Sequence, residues 1–409
     1  MPEKKQNPSR TVHPDLLDFE QVLKRASDKN ASDLHLKSGL PPVVRVNGTL
    51  FYLGQDGSSE KVIRLADSTI TRWAQALMTP RQREAFDRGE EVDLGYEVPG
   101  AGRFRINLCQ QRNRPRLVCR NIPDTVRTLQ DLGLTESVSK ILEAQRGLIL
   151  VTGATGSGKS TTLAAMIDHI TRTRSCHIVT IEDPIEFTFK DRKSIVTQRE
   201  VGTDTGSFTR ALKYALRQDP DVILVGELRD EETIQMALTA AETGHLVLST
   251  LHTNDATETI NRILAAINPA SQQAVRLQLA SVLVGVVSQR LIAKADGQGR
   301  VVALEILVNN ARVRHLIEEP KRTSEIRQVI DESELLGMLS FDRSLMLLCK
   351  AGLITEKEAI AQCTNPNDFR MRLSGVTSGD YRSKIAKSVE SLSDELIEIE
   401  GATPTRKKA

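Results

Sequence analysis

Aromatic residues make up only 3% of this chain, with a single tryptophan, which leaves too few flat faces for a surface that stacks unpaired bases. Charge is also scarce in net terms. The 55 Lys and Arg nearly cancel the 53 Asp and Glu, for a formal net of +2, so the basic excess of a general nucleic-acid binder is missing. Five cysteines, Cys109, Cys119, Cys176, Cys349 and Cys363, stand apart with no C-x-x-C pair. That spacing argues against a disulfide framework and against a structural zinc site, and fits a reducing compartment. The longest apolar runs, LILV at 148–151 and VLVGVV at 282–287, fall far short of the roughly 20 residues that cross a bilayer. The opening MPEKKQNPSR leads into no apolar segment of the secretory kind. These absences leave a cytoplasmic protein with no nucleic-acid partner and no membrane span. Its 409 residues suffice for two domains, and any membrane contact comes through a partner.

What the chain does have is GATGSGKST at 153–161, entered from the apolar run GLILVT at 147–152. This is the phosphate-loop pattern in its required context, a buried strand before and a helix after. Gly153, Gly156 and Gly158 permit a tight turn whose backbone N–H groups face inward, with Thr155 and Ser157 between them. The helix starting near Lys159 adds the positive end of its dipole. Lys159 is expected to reach the β- and γ-phosphates of ATP, the Ser160 hydroxyl to ligate Mg²⁺, and Thr161 to complete the phosphate contacts.

Three further segments narrow the chemistry. TIEDPIEF at 180–187 puts Glu182, Asp183 and Glu186 after a strand, where open parallel sheets hold their ligand crevice. Such carboxylates hold Mg²⁺ through water or orient the attacking water. DPDVILVGELRD at 219–230 is an apolar strand ending at Glu227, a Walker B arrangement that places a carboxylate near the metal. Its neighbours Arg229, Asp230 and Glu231 read as structural ion pairs. TGHLVLSTLHTN at 243–254 carries His245 and His252, whose separation is not a zinc spacing. Beside a nucleotide a histidine can donate to the γ-phosphate and register its loss, a role expected of His245.

The chain divides by pattern into a polar N-terminus at 1–14, an alternating α+β domain at 15–120 and a linker at 121–133. An α/β core at 134–300 follows, then a helical region at 301–373 and a tail at 374–409. Period-2 apolar positions in 31–53 and 91–123 predict antiparallel strands, with Pro99-Gly100 as a hairpin turn. GLILVTG, HIVTIED, DVILVGE and HLVLSTLHT are continuous apolar strands separated by helical patterns, which predicts a parallel sheet covered on both faces. In the tail, Ile385, Val389, Leu392, Leu396 and Ile399 form a short amphipathic stripe, either a surface helix packed on its own body or a partner-binding coiled coil.

The order GATGSGKST, TIEDPIEF, DPDVILVGELRD, TGHLVLSTLHTN resembles the Walker A, Asp box, Walker B and His box of the type II/IV secretion ATPases. Within them it resembles the type IV pilus retraction ATPases of the PilT and PilU type, over about residues 18 to 373. The resemblance implies an α/β fold, a RecA-like P-loop ATPase core with a smaller PAS-like N-terminal domain and a helical C-terminal region. It also implies a homohexameric ring with nucleotide in the cleft between the two domains, acting on an inner-membrane pilus platform protein at the cytoplasmic face. By motif match Glu186 takes the place of the catalytic glutamate and Glu227 that of the metal-holding one. Arg105 and Arg120, with Arg103 as the alternate, match the arginines brought to the γ-phosphate. The four-cysteine insertion of assembly ATPases is missing. The segment ARVRHLIEEP at 311–320 keeps part of a retraction-type motif, while VTQREVGTDTGSF at 196–208 and LLGMLSFDRSL at 335–345 lean towards PilU. The resemblance therefore leaves open whether the chain retracts pili itself or assists a paralogous retraction ATPase.

Overall fold

The structure, a computed structural model, describes residues 14–46, 49–54, 64–122 and 125–375. The amphipathic stripe at 385–399 lies outside the described residues, as does the expected N-terminal segment except for Pro14. The chain forms two units, one of Met1–Thr125 with Asp183–Thr188, the other of Val126–Glu182 with Phe189–Ala409.

The first unit is built from α1 (Leu17–Asp28), β1 (Asp33–Lys37), β2 (Val43–Val46), β3 (Thr49–Tyr52), α2 (Asp67–Leu77), α3 (Pro80–Asp87), β4 (Val92–Val98), β5 (Gly102–Gln111) and β6 (Arg114–Ile122). Its six strands form an antiparallel sheet in the order β3-β2-β1-β6-β5-β4. Period-2 patterning decides its faces. Phe104, Ile106 and Leu108 of β5 bury with Leu34 and Leu36 of β1 against Phe19, Leu23 and Trp73 of the helices. The intervening Arg103, Arg105 and Asn107 stay partly exposed on the other face. The expected hairpin is present, with Gly100 at φ +78° and the Ala101 N–H donating to Val98 O at 3.0 Å. Aromatic donors hold two acids of α1: Tyr96 Oη donates to the buried Glu20 Oε1 at 2.7 Å, and Trp73 Nε1 to the half-exposed Asp18 Oδ1 at 2.9 Å. Strand β6 continues to Ile122, into the segment expected as linker from 121.

The second unit holds α4 (Glu136–Ile141), β7 (Gly147–Thr152), α5 (Lys159–Thr173), β8 (His177–Glu182), β9 (Ile195–Glu200), α6 (Phe208–Ala215), β10 (Val222–Val225), α7 (Glu231–Glu242), β11 (Leu246–Leu251) and α8 (Ala256–Ala265). It continues with α9 (Gln272–Val282), β12 (Leu283–Ala293), β13 (Arg300–Val308), α10 (Ala311–Glu318), α11 (Ile326–Glu332), α12 (Phe341–Lys350), α13 (Glu356–Gln362) and α14 (Pro366–Gly375). The sheet order is β13-β12-β7-β11-β10-β8-β9, parallel except for β12 with β13. One face packs on α6 to α11, the other on α4, α5 and α12. Every residue of β7, β10 and β11 is buried, which is why these strands read as unbroken apolar runs.

The region from 301 was expected to be helical, but 300–308 is β13, an edge strand paired antiparallel with β12 over nine register positions. Helices begin at Ala311. The run VVALEILV contains one charged residue, Glu305, 5% exposed within an otherwise apolar segment. Its Oε1 accepts the Ala256 N–H at 2.8 Å, so it caps the first turn of α8 from the sheet, alongside the Asp255 side chain at the N-cap. Burial pushes the Glu305 carboxyl up to about 7; the Ala256 N–H opposes that shift and the Asp255 charge adds to it.

A raised carboxyl binds its proton in the folded state at pH values where the unfolded chain has lost it. Stability is therefore greatest below the unfolded value and declines as pH rises through about 7. The ionised form costs roughly 3 kcal/mol or a little more by this linkage. Glu305→Gln keeps the accepting oxygen and removes the proton. Thermal melts between pH 5 and 8 are expected to show a flatter pH dependence than wild type, with a higher Tm at pH 8. An unchanged slope would remove Glu305 as its source.

Candidate active site

Because β7, β8, β10 and β11 run parallel, their carboxyl ends lie along one edge of the sheet, and the loops leaving them carry the chemistry. After β7 the backbone turns through Gly153 at φ +144°, a conformation that excludes a side chain. A Cβ there would stand 2.5 Å from both Gln289 O and Ser157 Oγ. The turn ends at Gly158, φ +90°, which is the N-cap of α5 and brings no side chain to cap it. The first-turn N–H groups of α5 are thus left to an outside acceptor, with the helix dipole behind them. Thr155, Gly156 and Ser160 are exposed around this turn, Thr161 is half-buried, and Ser157 is buried.

Lys159 is 8% exposed, so its charge needs partners. Its Nζ donates to Gly153 O at 2.8 Å and Ala154 O at 3.0 Å, and lies 3.5 Å from His252 Nδ1. His252, directly after β11, has Nε2 3.6 Å from Glu227 Oε2. Glu227 follows β10 and also meets Arg229 Nη2 at 2.5 Å. Its side chain is 15% exposed, enough for a water or metal shell to reach while the local field stays strong. Lys159, His252 and Glu227 therefore form one polar chain across the carboxyl ends of three strands. The two strand ends are tied: Leu228 N–H donates to Thr250 O at 3.1 Å and Thr250 Oγ1 to Gly226 O at 2.7 Å. Glu182 ends β8, where its Oε1 accepts Thr180 Oγ1 at 2.6 Å and Gln198 Nε2 at 3.2 Å.

The structure does not bring His245 to this group. It precedes β11, whose first residue Leu246 stands opposite Gly147 at the start of β7, and its Nδ1 lies 2.9 Å from Ala240 O. A six-residue strand separates the two histidines. His245 is a packing residue at the amino edge, and His252 is the histidine beside Lys159. Asp230 and Glu231 are also structural, though not as ion pairs. Asp230 caps α7 by accepting Thr233 N–H at 2.8 Å, and Glu231 accepts Gln235 Nε2 at 3.0 Å.

In the first unit, Arg105 and Arg120 occupy directly opposed positions of β5 and β6. Like charges so placed repel unless acids stand near. Arg120 Nε donates to Asp33 Oδ1 at 3.0 Å. Burial works to raise the Asp33 carboxyl, but hydrogen bonds from Arg120 and Ser32 and the Arg120 charge outweigh it and hold it below the usual range. Arg105 reaches Asp93 Oδ2 at 3.4 Å and Glu186 Oε1 at 3.6 Å. Asp183 and Glu186 thus belong to the first unit, although Glu182 ends a strand of the second. Glu186 and Arg105 are both partly exposed, with side chains 43% and 34% accessible.

Two buried polar residues near the loop carry no sequence motif of their own. Gln289, 2% exposed, donates from Nε2 to Ser157 O at 2.5 Å, and Ser288 Oγ accepts Thr152 Oγ1 at 2.8 Å. The available signal was the run LVGVVSQRL, an apolar strand turning polar at its carboxyl end as GLILVT does. For Mg²⁺ the donor set fits. A helix-start hydroxyl and an acidic strand end suit a hard cation that takes most of its ligands from phosphate and water. Among the described residues no cluster of three or more His, Cys, Asp or Glu is arranged as a protein-only metal cage.

The family model described as "Type II/IV secretion system protein" matches residues 15–340. The chain is 43% identical over 353 residues to the type IV pilus retraction ATPase PilT of Pseudomonas aeruginosa, covering 86% of this chain and 100% of that protein. It is 37% identical over 375 residues to the type IV pilus ATPase PilU of the same organism, covering 91% and 96%. The crystal structure of the pilus retraction motor PilT with bound ADP superimposes with a TM-score of 0.77 at 43% identity, covering 86% of this chain and 99% of that one.

Lys159→Ala removes the cation at the mouth of the loop. Titration with a fluorescent ATP analogue should show affinity reduced by about tenfold to a hundredfold, the worth of one or two charge-assisted hydrogen bonds. Unchanged affinity would exclude Lys159 from the binding site.

Proposed function

This chain belongs to the type II/IV secretion system protein family, and from that membership we propose that it is the ATP-hydrolysing motor of type IV pilus retraction and of the twitching motility that retraction drives. It binds nucleotide and hydrolyses ATP. The observation that carries the reading is the meeting of Lys159, His252 and Glu227 at the phosphate loop, on a fold shared with a retraction motor.

The residue roles follow from chemistry at each position. The inward N–H groups from Gly153 to Thr161 cradle the phosphates, and Lys159 draws charge from the β- and γ-oxygens. Ser160 and Glu227 hold Mg²⁺, which neutralises charge on the β- and γ-phosphates when bound. Glu182 and Asp183 support the nucleotide end of the sheet. Glu186 positions and deprotonates the attacking water, and Arg105 and Arg120 stabilise charge building on the γ-phosphate. His252 donates to the γ-phosphate and loses that partner after hydrolysis, which lets it report the nucleotide state to Glu227.

The assembly we propose is a homohexamer acting at the cytoplasmic face of the inner membrane on a polytopic pilus platform protein. No helix among the described residues is long and apolar enough to cross a membrane, so the platform supplies the membrane contact. A second reading is an accessory ATPase that assists a paralogous retraction motor. The 37% identity to PilU over 91% of the chain favours keeping it.

Glu186→Gln is expected to bind ATP as wild type does and to hydrolyse it about 10²-fold to 10³-fold more slowly, measured by phosphate release from purified protein. In the native host the same substitution should give labelled pili that extend and fail to retract. Bald cells would replace the retraction reading with assembly, and unaltered pilus dynamics would support the accessory reading.

A further inference from the structure

Strand β12 lies beside β7 in parallel register, with Ser288 opposite Thr152, the last residue before the phosphate loop. The next residue along, Gln289, therefore stands level with the loop itself. Three contacts place it there. Its backbone oxygen is what a Cβ on Gly153 would strike at 2.5 Å. Its Nε2 lies 3.2 Å from where a Cβ on Gly158 would be, and donates to Ser157 O at 2.5 Å. The carboxamide orientation follows from that last contact, since the alternative would set two carbonyl oxygens against each other.

The consequence comes from peptide geometry. Ser157 C=O and Gly158 N–H belong to one planar trans unit, so they point in opposite directions. An amide donor that holds Ser157 O towards β12 turns the Gly158 N–H away from β12, into the hollow of the loop. That N–H donates to no described atom of the chain, and it is followed at once by Lys159. The backbone around Gln289 is held as well. Arg290 Nη1 donates to Gln362 O at 2.7 Å and its guanidinium lies 3.9 Å from the Phe341 ring centroid. Strand β12 is also paired along its length with β13.

A second observation points the same way. Gln289 Oε1 and Ser157 Oγ are both buried and neither has a hydrogen-bond partner among the described residues. Buried orphans of this kind are rare and mark places where something other than stability is being served. An apolar side chain of the same size would fill the space without leaving Oε1 unsatisfied, so the amide is there for its donor.

We infer that Gln289 is a positioning residue of the ATPase site, whose buried amide orients the Ser157–Gly158 peptide so that the Gly158 N–H meets nucleotide phosphate. The inference rests on the reading of the loop as the triphosphate site. Because a loop N–H contacts ground state and transition state alike, losing its orientation raises KM and leaves kcat nearly unchanged.

The test is Gln289→Met, which keeps the volume and removes the donor, in the full-length chain. Binding of a fluorescent ADP analogue and steady-state ATP hydrolysis are measured beside wild type and Lys159→Ala. The expected result is a Kd and a KM each raised on the order of tenfold, with kcat within about threefold and the melting transition retained. Gln289→Asn, one methylene shorter, keeps an amide that no longer reaches Ser157 and carries the same expectation. Wild-type affinity within twofold in either folded variant overturns the inference, and so does loss of the melting transition in both, which would make Gln289 structural. If Lys159→Ala also binds like wild type, the loop assignment itself has failed. If Lys159→Ala loses binding while Gln289→Met does not, only the role of Gln289 falls.

Discussion

Burial of β7 on both faces is the constraint from which the nucleotide chemistry follows. All six of its residues are covered, between β11 on one side and β12 on the other, so the strand cannot shift register or tilt. A backbone leaving such a strand and entering a helix must turn within a few residues, and its polar groups must find partners as it does so. Glycines with positive φ make the turn possible, and Lys159 and Gln289 take up carbonyls that would otherwise be buried without donors. What the chain's own acceptors leave over, among the described residues, is a set of loop N–H groups that includes that of Gly158. A phosphate is the natural acceptor for such a set, since it brings several oxygens and the opposite charge.

The polar residues around the loop are arranged against local stability. Lys159 is buried, Glu227 is mostly buried, and the Ser157 Oγ and Gln289 Oε1 atoms near the loop have no partner among the described residues. On the sheet of the first unit, Arg105 and Arg120 face each other across adjacent strands. Asp33 pairs with Arg120 at 3.0 Å, but Asp93 and Glu186 relieve Arg105 only in part, because their contacts with it are long, at 3.4 and 3.6 Å. An unliganded surface gains little from such an arrangement. A highly charged ligand gains a great deal, because preformed donors and cations need no reorganisation when it arrives.

The second unit also shows how a motor core keeps its helices in place while its loops carry chemistry. Asp230, Asp255 and Asn310 cap three helices with their own side chains, and Glu305 reaches from the sheet to cap the helix after His252. The helix after the phosphate loop has a glycine at the same position. What sets the start of α5 apart is a left-handed glycine at the N-cap directly after the phosphate loop, a position where no side chain can compete with a ligand for the first-turn N–H groups.

Much of this was written locally in the chain and could be read there. The phosphate loop, the apolar strands β7, β8, β10 and β11, the Pro99-Gly100 hairpin and the carboxylate Glu227 at a strand end each depend on neighbours within about ten residues. Local spacing is enough to specify a turn, a strand or a helix start, so these features, and with them the α/β class and the nucleotide chemistry, were determined by sequence alone. The choice between His245 and His252 was not, because it depends on which end of β11 lies beside Lys159, and that is fixed by parallel pairing with β7 a hundred residues away. Strand β13 hid for a similar reason: an edge strand broken by Glu305 looks like a helical region until its partner β12 is known. Gln289, Glu305 and the grouping of Glu186 with Arg105 were likewise decided only in three dimensions. A buried polar residue takes its role from the group it satisfies, and in each of these cases that group comes from a distant part of the chain.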